Sequence, residues 1–205
     1  MKLIKTKDNS FTFFNEEFQE HYHSISGALE EANKKFIEPL ELKDGMTILD
    51  ICFGLGYNTL AAIEKYKNLK IIALENDPKI LEELQRIELK GKFEIIKKLT
   101  KEKYYKDENY EITLILGDAK ETIKQVKDKV DIVFLDPFSP KKNPELWTKE
   151  FFSDIYSIMK KESKLATYSC AGQVRRNLKE AGFEVKDGPC VGRRAPSTIA
   201  IKPID

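Results

Sequence analysis

Residues 47–58 read TILDICFGLGYN. The stretch opens on a nearly continuous apolar run, Ile48, Leu49, Ile51 and Cys52, interrupted only by Asp50. A run of that kind marks a strand buried on both faces. Gly54 and Gly56 follow two apart, and Tyr57 begins a helix-forming segment. Glycines at that spacing allow a tight strand-to-helix turn whose backbone N–H groups can approach a ligand closely. The helix start favours negative charge. A plain tight turn explains two glycines equally well, so the rest of the chain must decide.

Working outward, the same alternation repeats. KIIALE (70–75), EITLIL (111–116), VDIVFLD (130–136) and KLATYS (164–169) read as strands. Helical patterns lie over 57–66, 78–89, 119–126, 148–160 and 172–181. Apolar strands separated by helices predict a parallel sheet covered on both faces, with ligands beyond the carboxyl ends of the strands. Upstream, 2–6 and 11–14 read as two short strands around a Lys7–Ser10 turn. A helix over 27–37 follows, with Ser26 placed to cap it. Two last strands, 183–187 and 197–201, flank DGPCVGRRAPS. The Lys-, Glu- and Tyr-rich stretch 89–110 reads as a solvated insertion with partial helix. Residues 1–40 are thus expected to form a hairpin-and-helix extension, and 41–205 the main α/β domain.

The 205 residues suit one domain with a full core. Charged residues make up 34%, balanced to a net charge of +1. Neither half is a polycation, so binding of nucleic acid would need local basic patches. Cys52, Cys170 and Cys190 are odd in number and widely spaced. This predicts no disulfide framework, no zinc site and a reducing, cytoplasmic setting. The N-terminus has no apolar signal core, and no apolar run approaches membrane-spanning length. His21 and His23 have no further histidine or CxxC partner, so no metal is expected.

Acids at successive strand ends point to a nucleoside ligand. Glu75 closes the second strand of the alternation, 19 residues after Gly56, where a carboxylate can accept from both ribose hydroxyls. Asp118, before Ala119, stands where an adenine amino group can donate. A dinucleotide fingerprint wants a third glycine at position 59, and this chain has Thr59. S-adenosylmethionine has no pyrophosphate, and its amino-acid end can use Asp50 and the loop around Asn58. The pattern therefore favours S-adenosylmethionine over NAD. For each acid alone, a helix cap or solvated turn remains the alternative.

The next strand end is FLDPFSPKKNPELWT (134–148). Methyl transfer requires an acceptor lone pair aimed at the methyl carbon, with reacting atoms about 3–3.5 Å apart. An alkyl amine is mostly protonated near neutrality, with a reference pKa of about 10.4. Asp136 and the Pro137 carbonyl can accept its N–H bonds, and Phe138 can pack against a planar ring. Asp-Pro-Phe-Ser is similar to the Asp-Pro-Pro-aromatic signature of amino-group methyltransferases, with the aromatic one place early and Ser139 following.

Four segments together resemble one family. They are FNEEFQEHYHSISGALEEANKKFI, LDICFGLGYN, LDPFSPKKNPELWT and YSCAGQVRRNLKEAGFEVKDGPCVGRRAPS. The chain resembles, from about Ser10 to its end, the methyltransferase domain of the bacterial tRNA 5-methylaminomethyl-2-thiouridine biosynthesis proteins. The resemblance implies a Rossmann-like class I methyltransferase sheet of seven mostly parallel strands. It implies methyl transfer from S-adenosylmethionine to the amine of 5-aminomethyl(-2-thio)uridine at the wobble position, within a tRNA anticodon stem-loop. It places Asp136 near the acceptor amine, where family members often have glycine or alanine in place of Pro137. Tyr22, Gly27 and Glu30 match its N-terminal segment and are expected over the cofactor. Many members carry a second, FAD-dependent domain. Ending at Asp205, this chain is expected to act without flavin and without an obligate protein partner.

Paired cations come last. Arg175-Arg176, Arg193-Arg194 and Lys141-Lys142 follow the active strand, and charge on a solvated face is the usual explanation. Phosphate contact by the four arginines, with Ser139 on the substrate side, is the functional expectation. Trp147 and the cysteines read as packing residues. A small-molecule amine methyl- or aminopropyltransferase, and a non-catalytic RNA-binding module on the same scaffold, stay open as alternatives.

Overall fold

The computed structural model describes residues 1–192 and 194–204. In chain order the elements are β1 (Leu3–Lys5), β2 (Phe11–Asn15), β3 (Glu20–His21), α1 (Ala28–Ala32), β4 (Thr47–Ile51), α2 (Tyr57–Lys65), β5 (Leu69–Glu75), α3 (Pro78–Leu84), α4 (Phe93–Glu102), β6 (Tyr104–Lys106) and β7 (Tyr110–Leu116). They continue with α5 (Ala119–Thr122), β8 (Val130–Leu135), α6 (Lys149–Ile158), β9 (Met159–Thr167), α7 (Gly172–Glu180), β10 (Glu184–Asp187) and β11 (Thr198–Ile201). A π-helical turn, Asn33–Ile37, extends α1.

The main sheet runs β10-β11-β9-β8-β4-β5-β7-β6, and β1-β2-β3 form a small sheet of their own. Strands β9, β8, β4, β5 and β7 pair in parallel, while β6, β10 and β11 run antiparallel to their neighbours. The strand read from TILDIC lies at the centre. The chain leaves β4 towards β5 and β7, then crosses back to β8 on the other side. That reversal opens a crevice at the carboxyl ends of β4 and β8.

Alternation along the strands builds two cores. Ile48, Ile71, Ile112 and Phe134 face α2, α4 and Phe36 of the π-helical turn. Leu49, Ile72, Val133 and Leu135 face Trp147, Phe151, Phe152 and Leu178. Trp147 packs as read from the sequence.

Three expectations need correction. The main sheet has eight strands rather than seven, because β6 pairs with the free edge of β7. Residues 89–110 are not simply a solvated insertion, since Phe93, Ile96 and Leu99 of α4 are fully buried. Burying three such side chains contributes about 1.5–3 kcal/mol each, which outweighs the polar bias of the segment. Ser26 does not cap α1. The start is held from the hairpin turn instead: Ser10 Oγ accepts from Ala28 N (3.0 Å) and Asp8 Oδ2 from Glu30 N (3.0 Å). Gly27, at φ +157°, makes room for this, since a Cβ there would lie 2.6 Å from Asp8 Oδ2.

Candidate active site

The strand ends are held level by hydrogen bonds that continue the sheet. Phe53 N donates to Leu74 O (3.0 Å), Gly117 N to Glu75 O (2.8 Å) and Asp136 N to Ile51 O (3.2 Å). Asp118 and Asp136 thereby stand just past β7 and β8, flanking the glycine loop and Glu75.

The loop itself is fixed by Glu75. Its Oε2 accepts from Gly54 N (2.7 Å), and Oε1 accepts from Asn76 N and Asp77 N (2.8 Å each). Burial pushes the Glu75 carboxyl up, and these N–H donors pull against that. Oε2 keeps acceptor capacity towards the cavity. Gly56, at φ +74°, is demanded by packing, since a Cβ there would meet Phe53 and Ile96 at 2.6 and 2.7 Å.

A cavity of about 620 Å³ covers this end of the sheet. It brings together Tyr22, Gly54, Glu75, Asp118, Ala119, Asp136, Pro137, Phe138 and Ser139 from the residues read as a site. Seven carboxylates line it, from Glu20, Glu31, Glu75, Asp77, Asp118, Asp136 and Glu145. Lys35 is the one lysine among the described lining residues, and no arginine joins it. Such a surface suits a cation and repels a pyrophosphate. S-adenosylmethionine fits these residues. Glu75 and Asp118 each offer a carboxylate oxygen to the cavity that could accept from its ribose hydroxyls and adenine amine, and the acidic walls suit a positive sulfur.

Asp136 lies beside the loop, with Asn58 Nδ2 donating to its Oδ2 (3.1 Å). Burial first, and the Glu31 charge second, push the Asp136 carboxyl up to about 8. Pro137 presents its carbonyl to the Tyr168 hydroxyl (3.0 Å), leaving one lone pair for another donor. Phe138 stacks on Phe18, with centroids 4.5 Å apart and planes 17° from parallel, and meets Tyr22 edge-on at 5.1 Å. Ser139 is gripped by Glu20: its N–H donates to Oε2 (3.0 Å), and its hydroxyl to Oε1. The hairpin carrying Phe18, Glu20 and Tyr22 therefore roofs the Asp136 end of the cavity.

Other sequence-derived candidates lie elsewhere. Asp50 is wholly buried and does not reach the cavity. Its Oδ2 accepts from the Thr59 hydroxyl (2.7 Å), and burial pushes its carboxyl up to about 7. Gly27 and Glu30 line a separate cavity of about 320 Å³ between α1 and Cys190–Gly192. Arg175 is committed within the fold. Its guanidinium donates to Asp187 (2.6 Å), Thr198 Oγ1 (3.0 Å) and Ser197 O (3.0 Å), bolting α7 to β10 and β11. Arg176 and Arg194 are exposed, and Arg193 lies outside the described residues. Cys52 lines the cavity, but burial and the surrounding carboxylates hold its thiol protonated. Asp118 also fills the alternative role of cap, accepting from Lys120 N (2.9 Å).

Sequence reading missed several cavity residues. Asp77 caps α3 through Lys79 N (2.8 Å) and accepts from the Tyr22 hydroxyl (2.8 Å). The Asp-Pro start of that helix, two residues past Glu75, was its signal. Glu20, Phe18, Glu31 and Tyr168 carry no local signal, because their partners are distant in sequence. Among the described residues, no group of three or more His, Cys, Asp or Glu is placed to hold a metal. No helix among them is long and apolar enough to cross a membrane.

Comparison with known proteins gives the family. Residues 78–203 match the family described as S-adenosyl-L-methionine-dependent methyltransferase. The chain belongs to that family. It is homologous to the methyltransferase domain of the MnmC proteins. MnmC2 from Aquifex aeolicus superposes with a TM-score of 0.81 at 32% identity, over 97% of this chain and 69% of that one. The tRNA 5-methylaminomethyl-2-thiouridine biosynthesis bifunctional protein MnmC of Campylobacter hominis is 32% identical over 86% of the chain. An uncharacterized protein of Methanocaldococcus jannaschii is 35% identical over 98% of it. The chain spans 29% of the Campylobacter protein's length and 59% of the Methanocaldococcus protein's. Spermidine synthase from Thermotoga maritima, at 17% identity and a TM-score of 0.64, shares the fold.

Proposed function

We propose that this methyltransferase methylates the primary amine of 5-aminomethyl(-2-thio)uridine at the wobble position of tRNA, with S-adenosylmethionine as donor. The observation that carries the reading is the acidic cavity with Asp136 at its inner wall, beside the glycine loop that Glu75 fixes. An ammonium group is drawn to such walls, and Asp136, with its carboxyl pushed up to about 8, is matched near neutral pH to exchange a proton.

Bound S-adenosylmethionine supplies a methyl group on positive sulfur, which keeps the carbon–sulfur bonding pair when the amine lone pair takes the methyl carbon. Asp136 takes one proton from the substrate ammonium beforehand and releases it to water after the product leaves. Asn58 holds the Asp136 carboxylate, and the free lone pair of Pro137 O can accept a remaining N–H. Phe138, flanked by Phe18 and Tyr22, forms an aromatic wall for the uracil ring. Exposed Arg176, Arg194, Lys141 and Lys142 are cations on offer to RNA phosphates, while Arg175 serves the fold. The substrate places this activity in the cytoplasm, on the anticodon stem-loop.

A polyamine-type acceptor is the alternative amine, and the spermidine synthase likeness does not favour it because it extends to the fold alone. Incubation with methyl-labelled S-adenosylmethionine separates the two. Label is expected in tRNA bearing the aminomethyl group and absent from free diamines. Label in the diamines alone would overturn the tRNA reading.

A further inference from the structure

With Asp50 inside the core, the amino-acid end of S-adenosylmethionine needs other partners. That end carries an ammonium and a carboxylate. The glycine loop has few amides to offer the carboxylate. Phe53 N donates to Leu74 O (3.0 Å), Gly54 N to Glu75 Oε2 (2.7 Å) and Gly56 N to Phe53 O (2.8 Å). The acidic lining repels a carboxylate, and among the described lining residues Lys35 is the one lysine, with no arginine beside it. Lys35 is only 6% exposed and pairs with Glu31 of α1. Its neighbour Lys34 pairs with Glu30 at the exposed surface, the ordinary use of such a helical pair. Burying a lysine and a glutamate stabilises a fold little compared with apolar side chains of similar volume. Glu31 and Lys35 both line the acidic cavity, which gives the buried pair another use.

Both members keep hydrogen-bonding capacity. The Lys35 ammonium has three N–H groups, of which Glu31 Oε1 takes one. Glu31 Oε2 accepts from Ser24 N (3.1 Å), and each carboxylate oxygen has a second lone pair. His23 lines the same cavity, is 8% exposed, and its Nε2 has no hydrogen-bond partner among the described residues. A buried polar atom of this kind calls for a ligand atom or water. We propose that Lys35 and Glu31 receive the amino-acid end of S-adenosylmethionine, Lys35 its carboxylate and Glu31 its ammonium. Lys35 thereby selects this donor over decarboxylated S-adenosylmethionine, the form from which an aminopropyl group is transferred. The proposal rests on S-adenosylmethionine as the donor and not on the identity of the acceptor. The decarboxylated donor carries one more net positive charge, so acidic walls alone would favour it. A preference for the carboxylated donor therefore needs a cation in the wall, and specificity is that difference in affinity.

The test is calorimetry of the cofactor-free protein with S-adenosylmethionine and with decarboxylated S-adenosylmethionine. Wild type is expected to bind S-adenosylmethionine about tenfold or more tightly than the decarboxylated form. Lys35→Met is expected to lose about tenfold to a hundredfold in affinity for S-adenosylmethionine and little for the decarboxylated form, so the preference disappears or inverts. Lys35→Arg, which keeps the cation, is expected to retain the preference, and Lys34→Met to leave both affinities unchanged. If Lys35→Met does not fold, the double variant Glu31→Gln/Lys35→Met, which leaves no unpaired charge, takes its place and is expected to lose the preference. Equal affinities in wild type, or a preference that survives in the folded variant, would overturn the proposal. A Lys35-dependent preference without methyl transfer to aminomethyl tRNA would sink the acceptor assignment instead and uphold the role of Lys35.

Discussion

The carboxylate of Glu20 grips Ser139 at both backbone N–H and side-chain hydroxyl, tying the N-terminal hairpin to the loop that carries Asp136, Pro137 and Phe138. The Phe18–Phe138 stack lies beside this clamp, so the hairpin and the loop close the Asp136 end of the cavity together. Under the proposed function, a bulky acceptor has to pass this roof. Glu20→Ala is expected to speed hydrogen exchange at the Ser139 amide by about tenfold or more, and to change KM for the acceptor more than kcat. Unchanged exchange at Ser139 would show that the clamp does not hold the loop.

Glu75 holds the cofactor loop through three backbone N–H groups and faces the expected ribose. Glu75→Gln replaces one acceptor oxygen by a donor that opposes an N–H. Hydrogen bonds to a charged group contribute about 1.5–3 kcal/mol each, so S-adenosylmethionine affinity is expected to fall about tenfold to a hundredfold by calorimetry.

Stability should depend on pH in a definite direction. Asp50 and Asp136 have folded-state acidities near 7 and 8, against an ordinary aspartate value near 4. Between about pH 4 and 8 the folded protein therefore binds more protons than the unfolded chain. Their contribution is full below about pH 4 and is lost as pH rises through 7 to 8. His23, held down to about 4 by burial, acts oppositely, since its contribution is lost as pH falls from about 6.5 to 4. Urea midpoints of the cofactor-free protein are expected to fall between pH 6.5 and 8.5. Asp136→Asn should flatten much of that slope. A midpoint that rises over this range would contradict the buried-acid account.

Asp8 replaces the helix cap that the sequence assigned to Ser26. Burial would raise its carboxyl, but hydrogen bonds from Ser10, Thr6 and the Glu30 amide hold it down at about 2. Asp8→Ala is expected to cost about 1–2 kcal/mol in denaturant unfolding, in the range of lost helix caps. Ser26→Ala should leave stability nearly unchanged.

The alternation of apolar strands and helices was legible because each element buries its own periodic face, from TILDIC to KLATYS. Glu75, Asp118 and Asp136 were legible for the same reason, since a parallel sheet puts strand-end residues on one rim. Asp50 stood out because a polar residue in an apolar run looks like a site; in the fold it lies inside the core, where Thr59 binds its Oδ2 and Oδ1 has no hydrogen-bond partner among the described residues. Arg175 reads as a surface cation in sequence, yet its partners Asp187 and Thr198 arrive from a later hairpin. The Glu20–Ser139 clamp spans 119 residues, a distance at which no local pattern survives. The edge strand β6 escaped notice because three residues of Lys and Tyr carry almost no periodic signal.

The central claim is that Asp136 deprotonates an amine on tRNA for methylation. Nucleoside mass spectrometry of aminomethyl-bearing tRNA, after incubation with S-adenosylmethionine and either wild-type or Asp136→Asn protein, tests it most directly. The account predicts conversion of 5-aminomethyl- to 5-methylaminomethyl-uridine by wild type. It predicts a loss of about a hundredfold or more in rate for Asp136→Asn, with cofactor binding retained. Equal conversion by both proteins, or none by wild type that binds the cofactor, would contradict it.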